Sequence, residues 1–474
     1  RFAVAVSDRG ATGGSGFGAV LGSKKLKAIV VRGDGRVAVA RPHQLRATNM
    51  HIRSLIGDKF LLDPSIEGID LVRRSSCAGC PAGCPRGLYK HESGREEYLK
   101  NCQSSYVYYV LDRLYHDGSP STNPFLVTSL CNRYGLCTQE LSNVLRLITR
   151  CAAEGVLAED QAGLRLAEFG SLAFAEALIG SMVRRDGIGD LLAEGAARAA
   201  AGLGPQAEEL ARGIVTRSGF HAHEYNPRYF LTNAALYATE STSPLNQLHE
   251  VIFPMMRWVM WYASDGSMSR GSTEAMRTMA QKFWGRADAA DFSTAVGKGE
   301  VAKLIQDRNF AKENLVACDF LYPMMTAEGS ETYVGDPELE HRLLAAVTGI
   351  DLSETEYYRT GETAFNLQRA IQCCEGRRGR ADDTINEINF TEGIETDEGF
   401  FGVWNPEFML PGSGDEPISR KGAVVGREEF SAMMDEYYAC RGWDAATGLQ
   451  TSAGLRALGL TDVVSALEKQ DLVV

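Results

Sequence analysis

The sequence predicts an α+β fold, in which the remnant of an N-terminal β domain is followed by two mainly α-helical domains. Strand-like segments flank a glycine-rich turn near the start of the chain, and a helical pattern with few strand candidates follows. Because the chain opens with Arg1 directly in strand-like sequence, we expect a longer β domain upstream. The 474 residues are enough for two or three domains, which we divide at 1–41, 42–218 and 219–474.

The glycine-rich turn, residues 9–18, lies between the strand-like segments 2–6 and 26–31. Glycine lets backbone N–H groups approach an anion closely, so the segment is a candidate phosphate cradle. A plain tight turn is the alternative. The segment is not a dinucleotide fingerprint, since no acidic ribose-binding position follows on a βαβ pattern.

Two helices beyond residue 42 have clear boundaries in the sequence. Asp336 is a candidate cap, Pro337 fits a first helical position, and Gly349 is a typical helix end, which together predict a helix over 336–349. A second helix is predicted over 299–312.

Glycine content defines two further segments. Residues 171–203, rich in Ala and Leu, predict two helices joined by a short turn at Gly187 and Gly189. Residues 375–426, with many Gly, Asp, Glu and Pro, predict a long irregular surface segment.

Composition excludes several classes of partner and predicts the cellular compartment. A net charge of −12 argues against nucleic acid and anionic membrane surfaces as partners. No run approaches the roughly 18 apolar residues of a transmembrane helix. Eleven unevenly spaced cysteines, with no secretory signal, predict a reducing, cytoplasmic compartment.

A C-x2-C-x3-C motif brings the thiols of Cys77, Cys80 and Cys84 onto one short loop. Because three sulfurs cannot complete a tetrahedral or cubane site, a fourth ligand is needed, and Cys318 is our candidate. Four cysteines predict an iron–sulfur cluster. Zinc is the alternative, although no second C-x2-C or H-x3-H pair follows.

Several motifs, spread nearly from end to end, resemble one family. They lie at residues 16–28, 77–84, 132–137, 237–239, 313–318 and 365–370. Together they resemble the tungsten-pterin aldehyde:ferredoxin oxidoreductase family. Members carry an N-terminal β domain ahead of these motifs, which agrees with the upstream segment that we expect.

The resemblance implies a tungsten ion held by two pterins, a 4Fe–4S cluster nearby, and Mg²⁺ as a bridge between the pterin phosphates. The four cysteines above match the cluster ligands. The segment that matches the phosphate-binding turn consists of Arg9, Gly10, Ala11, Thr12 and Gly13. Tungsten and molybdenum remain alternatives, because the pterins supply the sulfur ligands of the metal.

Two segments match the family's pterin-gripping D-x-x-G-L-[CD] motif, Asn132–Cys137 and Glu313–Cys318. Both depart from it, because Asn132 replaces an aspartate and the second segment lacks the usual Gly-Leu. Asn and Glu can still form hydrogen bonds with the amino edge of a pterin. Asp319 is a further predicted cofactor contact.

The resemblance also implies two catalytic residues. His249 lies where the family has an active-site histidine, and imidazole titrates near neutrality. The alternative is a surface histidine that bonds to Glu250 or to solvent. Glu97 matches a glutamate near tungsten, although Leu99 replaces the second glutamate of that motif. Glu97 could equally belong to a solvated charge run.

Two other residues are candidate ligands. A thiolate at Cys102 could bind the metal directly, since soft ligands suit it, and an inert buried cysteine is the alternative. Arg228 could bind a pterin or substrate anion, or could pair with a neighbouring carboxylate.

Three functions remain open. The first is oxidation of an aldehyde to a carboxylate, with electrons leaving through the cluster to ferredoxin. The second is reduction of an aryl-CoA thioester, as in the tungsten subunit of class II benzoyl-CoA reductases, for which a CoA-sized cleft lined with Arg or Lys would be expected. The third is an iron–sulfur electron-transfer subunit without tungsten. An iron–sulfur partner subunit and an oligomeric state are also expected.

Overall fold

The computed structural model describes most of the chain. The described residues are 2–7, 12–14, 16–35, 37–56, 69–75, 77, 80–81, 86–91, 97–100, 106–119, 121–158, 164–215, 225–395, 402 and 404–474.

The described strands are short. They are β1 Ala5–Val6, β2 Thr12–Gly13, β3 Ile69–Arg74, β4 Gly87–His91, β5 Glu97–Lys100, β6 Met409–Leu410 and β7 Ile418–Ser419. They form three separate antiparallel sheets, with the orders β1-β2, β3-β4-β5 and β6-β7.

Helices account for most of the described secondary structure. They are α1 Phe17–Ser23, α2 Pro42–Ile56, α3 Tyr106–Tyr115, α4 Asn123–Tyr134, α5 Thr138–Ala153, α6 Leu172–Arg184, α7 Ile188–Leu192, α8 Ala196–Leu203, α9 Pro205–Ala211, α10 Leu231–Thr239, α11 Leu245–Ala263, α12 Thr273–Trp284, α13 Lys298–Asn314, α14 Leu339–Thr348, α15 Glu354–Cys374, α16 Ile388–Thr391, α17 Arg427–Arg441, α18 Ser452–Ala457 and α19 Thr461–Glu468. Short 3-10 helices lie at Leu166–Glu168, Ala287–Ala290 and Gly379–Ala381. The predicted α+β fold class with mainly helical domains is confirmed.

The chain divides into two compact units. The first contains residues 1–35 and 60–221, and the second contains residues 36–59 and 222–474. Helix α2 therefore belongs to the second unit. The domain boundaries that we placed at residues 41 and 218 stay a prediction.

The first unit is organised around its helices. Cys131 on α4, Val144 and Cys151 on α5, and Leu178 on α6 are buried in one core. The sequence predicted two helices over 171–203, but the structure has three. The chain breaks twice because Gly187 and Gly195 have φ of 53° and 90°, a conformation that glycine adopts without strain.

The N-terminal segment is only partly the β structure that we expected. Strands β1 and β2 pair, with Ala5 opposite Gly13, but residues 17–23 form a helix. Residues 26–31 form no strand with any described residue, and Val30 is 89% exposed. The β-branched run predicted a strand there, but a strand also needs a partner for its backbone groups.

The sheet β3-β4-β5 was not predicted. It surrounds the cysteine motif, since β3 ends before Cys77 and β4 begins after Cys84. Leu71 on β3 lies opposite Tyr89 on β4. The buried Tyr89 ring packs at 5.9 Å from that of Phe125 on α4, which joins the sheet to the helices.

The second unit is built on helix α13, which confirms the helix predicted over 299–312. Its neighbour α15 approaches so closely that a Cβ on Gly361 would lie 1.8 Å from the carbonyl oxygen of Asp307. Val301 and Ile305 are completely buried, and so are the charged residues Lys298 and Lys312 of the same helix. The helix therefore carries polar groups into the centre of the unit.

The other predicted elements of the second unit are close to the observed ones. Helix α14 begins at Leu339 and is followed by Gly349 in a left-handed conformation, with φ of 82°. Asp336 accepts a hydrogen bond from the N–H of Glu338 at 3.0 Å, just ahead of the helix. Residues 375–395, 402 and 404–426 contain only short elements. Among the described residues, no helix is long and apolar enough to cross a membrane.

Candidate cofactor-binding and active site

The first unit holds the segment Asn132–Cys137 in a tight turn at the end of α4. Gly135 follows the helix with φ of 69°, the left-handed conformation that ends many helices. Its N–H donates to the carbonyl of Asn132 at 3.3 Å, and the N–H of Leu136 donates to that of Cys131 at 2.8 Å. These bonds fix both ends of the segment.

The N-terminal chain lies alongside this turn. The N–H of Cys137 donates to the carbonyl of Phe2 at 2.8 Å, and the N–H of Val4 donates to that of Gly135 at 2.9 Å. A Cβ on Gly14 would lie 4.0 Å from Cys137 Sγ. The structure therefore brings the glycine-rich segment against one of the two predicted pterin-binding segments.

The predicted phosphate-binding turn is described only in part. Thr12 and Gly13 form strand β2, whereas Arg9, Gly10 and Ala11 lie outside the described residues. The role of all five residues stays a prediction.

Two of the predicted cluster ligands of the first unit are described. The N–H of Cys80 donates to the carbonyl of Cys77 at 3.1 Å, so the chain turns between them. The buried Arg86 directs Nη1 to Cys77 Sγ at 3.3 Å. Cys84 and Cys102 lie outside the described residues.

Two other predicted site residues have defined backbone positions. Glu97 lies on β5 opposite Lys90, and its side chain is outside the described part of the chain. Arg228 donates through Nη1 to the carbonyl of Glu392 at 2.8 Å and through Nε to Asn226 Oδ1 at 3.1 Å. Arg228 thus anchors a loop in its own unit, and its role as an anion ligand stays a prediction.

The second unit repeats the turn of the first at the end of α13. Val316 is left-handed, with φ of 55°. Its N–H donates to the carbonyl of Glu313 at 2.8 Å, and the N–H of Ala317 donates to that of Lys312 at 3.3 Å. The hydrogen bonds match those of the first segment position for position, and Cys318 follows at an exposed position.

Glu313 is held from a neighbouring helix. Asn246, on the first turn of α11, donates through Nδ2 to Glu313 Oε1 at 2.6 Å. This bond joins a predicted pterin contact to the helix that carries His249.

His249 has a partner on each ring nitrogen. Its Nδ1 lies 2.6 Å from Asp319 Oδ2, and its Nε2 lies 3.3 Å from the hydroxyl of Tyr225. The carboxylate accepts the Nδ1 proton, which leaves Nε2 to accept from the hydroxyl in the neutral ring. His249 is not a surface histidine bonded to Glu250. Its side chain is only 11% exposed, and Glu250 pairs with Arg308.

Asp319 is suited to hold a charge beside this ring. Burial raises the pKa of Asp319, but the hydrogen bond and the charge of His249, together with the charge of Lys312, outweigh burial. The pKa of the carboxyl therefore lies below its ordinary value, and Asp319 stays ionised as a hydrogen-bond acceptor for His249.

Aromatic rings surround the imidazole. The ring of Phe253 stacks on His249 at 4.4 Å, and the rings of Phe320 and Tyr225 lie at 5.3 and 5.8 Å. These rings restrict water around His249 and fix its orientation. The imidazole therefore has aromatic neighbours as well as its two hydrogen-bond partners, and its catalytic role stays a prediction.

Sequence reasoning did not find several residues of this region. Asn246 and Tyr225 were assigned no role from the sequence, and their contacts reveal them. Arg308 and Lys312 are spaced i, i+4 within a helix that is buried on all sides, and such a pair in a core helix is a usable signal. Arg308 donates to Glu250 Oε2 at 2.9 and 3.0 Å.

Two matched helix-ending turns and a buried histidine–aspartate pair are the main features of the described site residues. The family model described as aldehyde ferredoxin oxidoreductase, domains 2 and 3, matches residues 63–460. The chain belongs to this family.

The chain is similar to curated relatives over almost its whole length. The tungsten-containing aldehyde ferredoxin oxidoreductase of Pyrococcus horikoshii is 24% identical over 512 aligned residues, covering 98% of this chain and 72% of the relative. The enzyme of the same name from Pyrococcus abyssi is 24% identical over 514 residues, with the same coverages.

A solved structure shares the fold. It is a chain of the active-site complex BamBC of benzoyl coenzyme A reductase in complex with 1,5-dienoyl-CoA. The TM-score is 0.66 at 18% identity, and the match covers 100% of this chain and 73% of the other.

Proposed function

We propose that the protein is a tungsten-bispterin oxidoreductase that oxidises an aldehyde to a carboxylate and passes the electrons through a 4Fe–4S cluster. The observation that carries the proposal is the pair of matched turns, which place Asn132 and Cys137 in one unit and Glu313 and Cys318 in the other. A cofactor with two similar halves needs two similar sets of contacts. The names of the Pyrococcus relatives support tungsten as the metal.

The residues present fit these groups. Gly14 leaves space beside Cys137, and the segment Arg9–Gly13 would supply N–H groups for the pterin phosphates, whose negative charge a Mg²⁺ ion would also offset. Asn132, Glu313 and Asp319 would accept or donate hydrogen bonds at the pterin edges.

The donor set for the cluster is chemically suitable. Cys77, Cys80, Cys84 and Cys318 would ligate it, since cysteine thiolates are the usual ligands of iron–sulfur clusters. Cys102 would be a further thiolate toward tungsten. When bound, the tungsten cofactor would supply two-electron redox chemistry and the cluster would supply one-electron transfer.

His249 would move the substrate proton. Water supplies the oxygen that the aldehyde gains, and the oxidation releases protons that need an acceptor. Nε2 of His249 accepts a proton while Asp319 holds Nδ1, and the hydroxyl of Tyr225 keeps Nε2 oriented. Glu97 would be a second proton carrier. The electrons would leave to ferredoxin or to an iron–sulfur partner subunit in a cytoplasmic, oligomeric enzyme.

Reduction of an aryl-CoA thioester is the second candidate. The observation that favours it is the ring cluster of Tyr225, Phe253 and Phe320 around His249, because a flat apolar setting suits an aromatic ring. In this reaction His249 would donate protons instead of accepting them. The shared fold with the benzoyl coenzyme A reductase complex supports the same candidate.

Metal analysis of the full-length protein, purified without oxygen, tests the cofactors. We expect one tungsten and about four irons per chain. Iron without tungsten or molybdenum would leave only an electron-transfer subunit, and zinc alone would overturn the cluster. Cys318→Ser should lower the iron content, whereas Cys374→Ser, at another exposed cysteine of the same unit, should not.

Product analysis separates the two reactions. The loaded enzyme is supplied either with aldehydes and a ferredoxin-type acceptor or with benzoyl-CoA and a low-potential donor. We expect carboxylates from the first assay. A cyclic dienoyl-CoA from the second, with no aldehyde turnover, would establish the second candidate instead.

A further inference from the structure

A group of polar atoms lies buried in the second unit without hydrogen-bond partners among the residues that the structure describes. These atoms are Glu250 Oε1, Lys312 Nζ, both Oε atoms of Glu340, His341 Nδ1 and the hydroxyl of Tyr357. We call these five side chains the polar chamber. Helices α11, α13, α14 and α15 contribute them.

The five side chains are neighbours. The charges of Glu250 and Lys312 both act on Glu340. The charge of Glu340 acts in turn on Tyr357, whose ring lies 6.3 Å from that of His341. The unpartnered atoms therefore face one region of the unit.

Atoms of this kind indicate internal water. A buried polar atom without a partner is unfavourable, and several together would be difficult for a fold to tolerate. Buried waters form about three hydrogen bonds each and satisfy such groups in native proteins. Glu340 is 1% exposed and Lys312 is 0% exposed, so bulk solvent does not reach them.

Lys312 lies beside the turn that leads to Asp319, since the N–H of Ala317 donates to the carbonyl of Lys312 at 3.3 Å. The charge of Lys312 acts on Asp319 as well as on Glu340, and Asp319 is hydrogen-bonded to His249 at 2.6 Å. Arg308 donates to Glu250 at Oε2, and Glu250 Oε1 is buried without a hydrogen-bond partner among the described residues.

Another part of the polar chamber lies near a surface cavity. An open cavity of about 620 Å³ is lined by Asp336 and Glu354, among others. The charges of both carboxylates act on His341. The lining residues Glu338 and Arg342 flank His341 in the chain, so His341 lies next to the wall of the cavity.

We propose that the polar chamber holds a chain of water molecules that conducts protons between the surface cavity and His249, with Glu340 storing a proton on the way. This inference rests on the proposed function, in which His249 exchanges a proton with the substrate. In the outward direction, a proton leaves His249, passes along the waters and forms the O–H bond of the Glu340 carboxylic acid. When that bond breaks, the proton leaves past His341 to the cavity. Electrons do not move in this step.

The surroundings of Glu340 suit a proton store. Burial raises the pKa of Glu340 to about 7. The charge of Glu250 acts in the same direction, whereas the backbone N–H of Glu340 and the charges of Arg308 and Lys312 act in the opposite direction. Tyr357 faces it from α15. Both protonation states are therefore populated near neutral pH.

Infrared difference spectroscopy tests the store without turnover. Spectra of the purified full chain between slightly acidic and slightly alkaline pH should contain a carboxylic-acid carbonyl band that is missing in Glu340→Gln. The exposed Glu331→Gln variant should keep the band. Identical spectra for wild type and Glu340→Gln would overturn the role of Glu340, whichever reaction the enzyme catalyses.

Turnover tests the conduction. Glu340→Gln should lower kcat about tenfold or more and change its pH profile, with KM, tungsten and iron unchanged. Glu340→Asp should restore part of the rate, and Glu331→Gln should have wild-type rates. Tyr357→Phe is a second variant that keeps the shape of the site, and we expect a smaller decrease. Wild-type rates and pH profiles in both Glu340→Gln and Tyr357→Phe would overturn the proposal.

Discussion

Gly135 and Val316 occupy the same position in two helix-ending turns, and both are left-handed, with φ of 69° and 55°. In each turn the residue's N–H donates to the carbonyl three positions earlier. Only one of the two is glycine, the residue that adopts this conformation without strain. Val316 is β-branched and 93% exposed, so packing around its side chain does not offset the strain.

Val316→Gly should therefore stabilise the protein. A left-handed conformation costs an L-residue about 1–2 kcal/mol, and the greater flexibility of unfolded glycine removes about 0.5–1 kcal/mol of that gain. We expect a net increase of up to about 1 kcal/mol in the free energy of unfolding, measured from urea denaturation of the cofactor-free protein. The reciprocal change, Gly135→Val, should destabilise by a similar net amount, up to about 1 kcal/mol. A loss of stability in Val316→Gly would show that Val316 makes a stabilising contact.

The comparison of these turns shows what the sequence could predict. The resemblance between Asn132–Cys137 and Glu313–Cys318 was visible from their spacing, and the helix over 299–312 followed from its pattern. These are local features, encoded within a few turns of chain. The left-handed conformation of Val316 could not be predicted in this way, because valine rarely adopts a positive φ.

Contacts between distant segments could not be read from the sequence. His249 and Asp319 are separated by 70 positions, and packing of the second unit brings them together. The strand predicted at residues 26–31 was wrong for a related reason, because β propensity does not supply a neighbouring strand for the backbone hydrogen bonds. The sheet around Cys77 was missed because its strands, of four to six residues, carry weak periodicity.

Asp383 is the centre of a buried ion network that should dominate the stability of the second unit. It accepts hydrogen bonds from Arg369 at 2.6 and 2.8 Å, from Arg377, and from the hydroxyl of Tyr438 at 2.7 Å. The side chains of Arg369 and Asp383 are completely buried. Asp383→Asn would leave the arginine charge unpaired, which costs about 3–5 kcal/mol.

The matched control for Asp383→Asn is Asp435→Asn. Asp435 pairs with Arg380, but its side chain is 55% exposed. Exposed pairs contribute about 0–1 kcal/mol. Urea unfolding of both variants measures the difference, and equal losses would contradict the assignment of Asp383 as the centre of the network.

Glu340 should make stability depend on pH. Its pKa in the folded protein, about 7, lies above the ordinary value of 4.5, so its contribution is fully present below pH 4.5 and is lost as the pH rises through 7. Glu340→Gln cannot ionise. The stability of the variant relative to wild type should therefore increase between pH 4.5 and 7 and then level off, by about 3 kcal/mol in total. Urea midpoints across this range measure the effect, and parallel curves for the two proteins would exclude it.

Asp319 should act on catalysis through His249 and not through protein stability. Asp319→Asn keeps the size of the side chain, but its amide can donate to Nδ1 and thereby favour the ring form that carries its proton on Nε2. That form cannot accept a proton at Nε2, so we expect kcat to fall by about 100-fold or more. KM, metal content and the urea midpoint should change little. Tyr225→Phe removes only the orienting hydroxyl at 3.3 Å and should lower kcat by less than Asp319→Asn. Equal losses of activity in the two variants would mean that both residues only orient the His249 ring. The choice of the ring nitrogen that carries the proton would then not depend on Asp319.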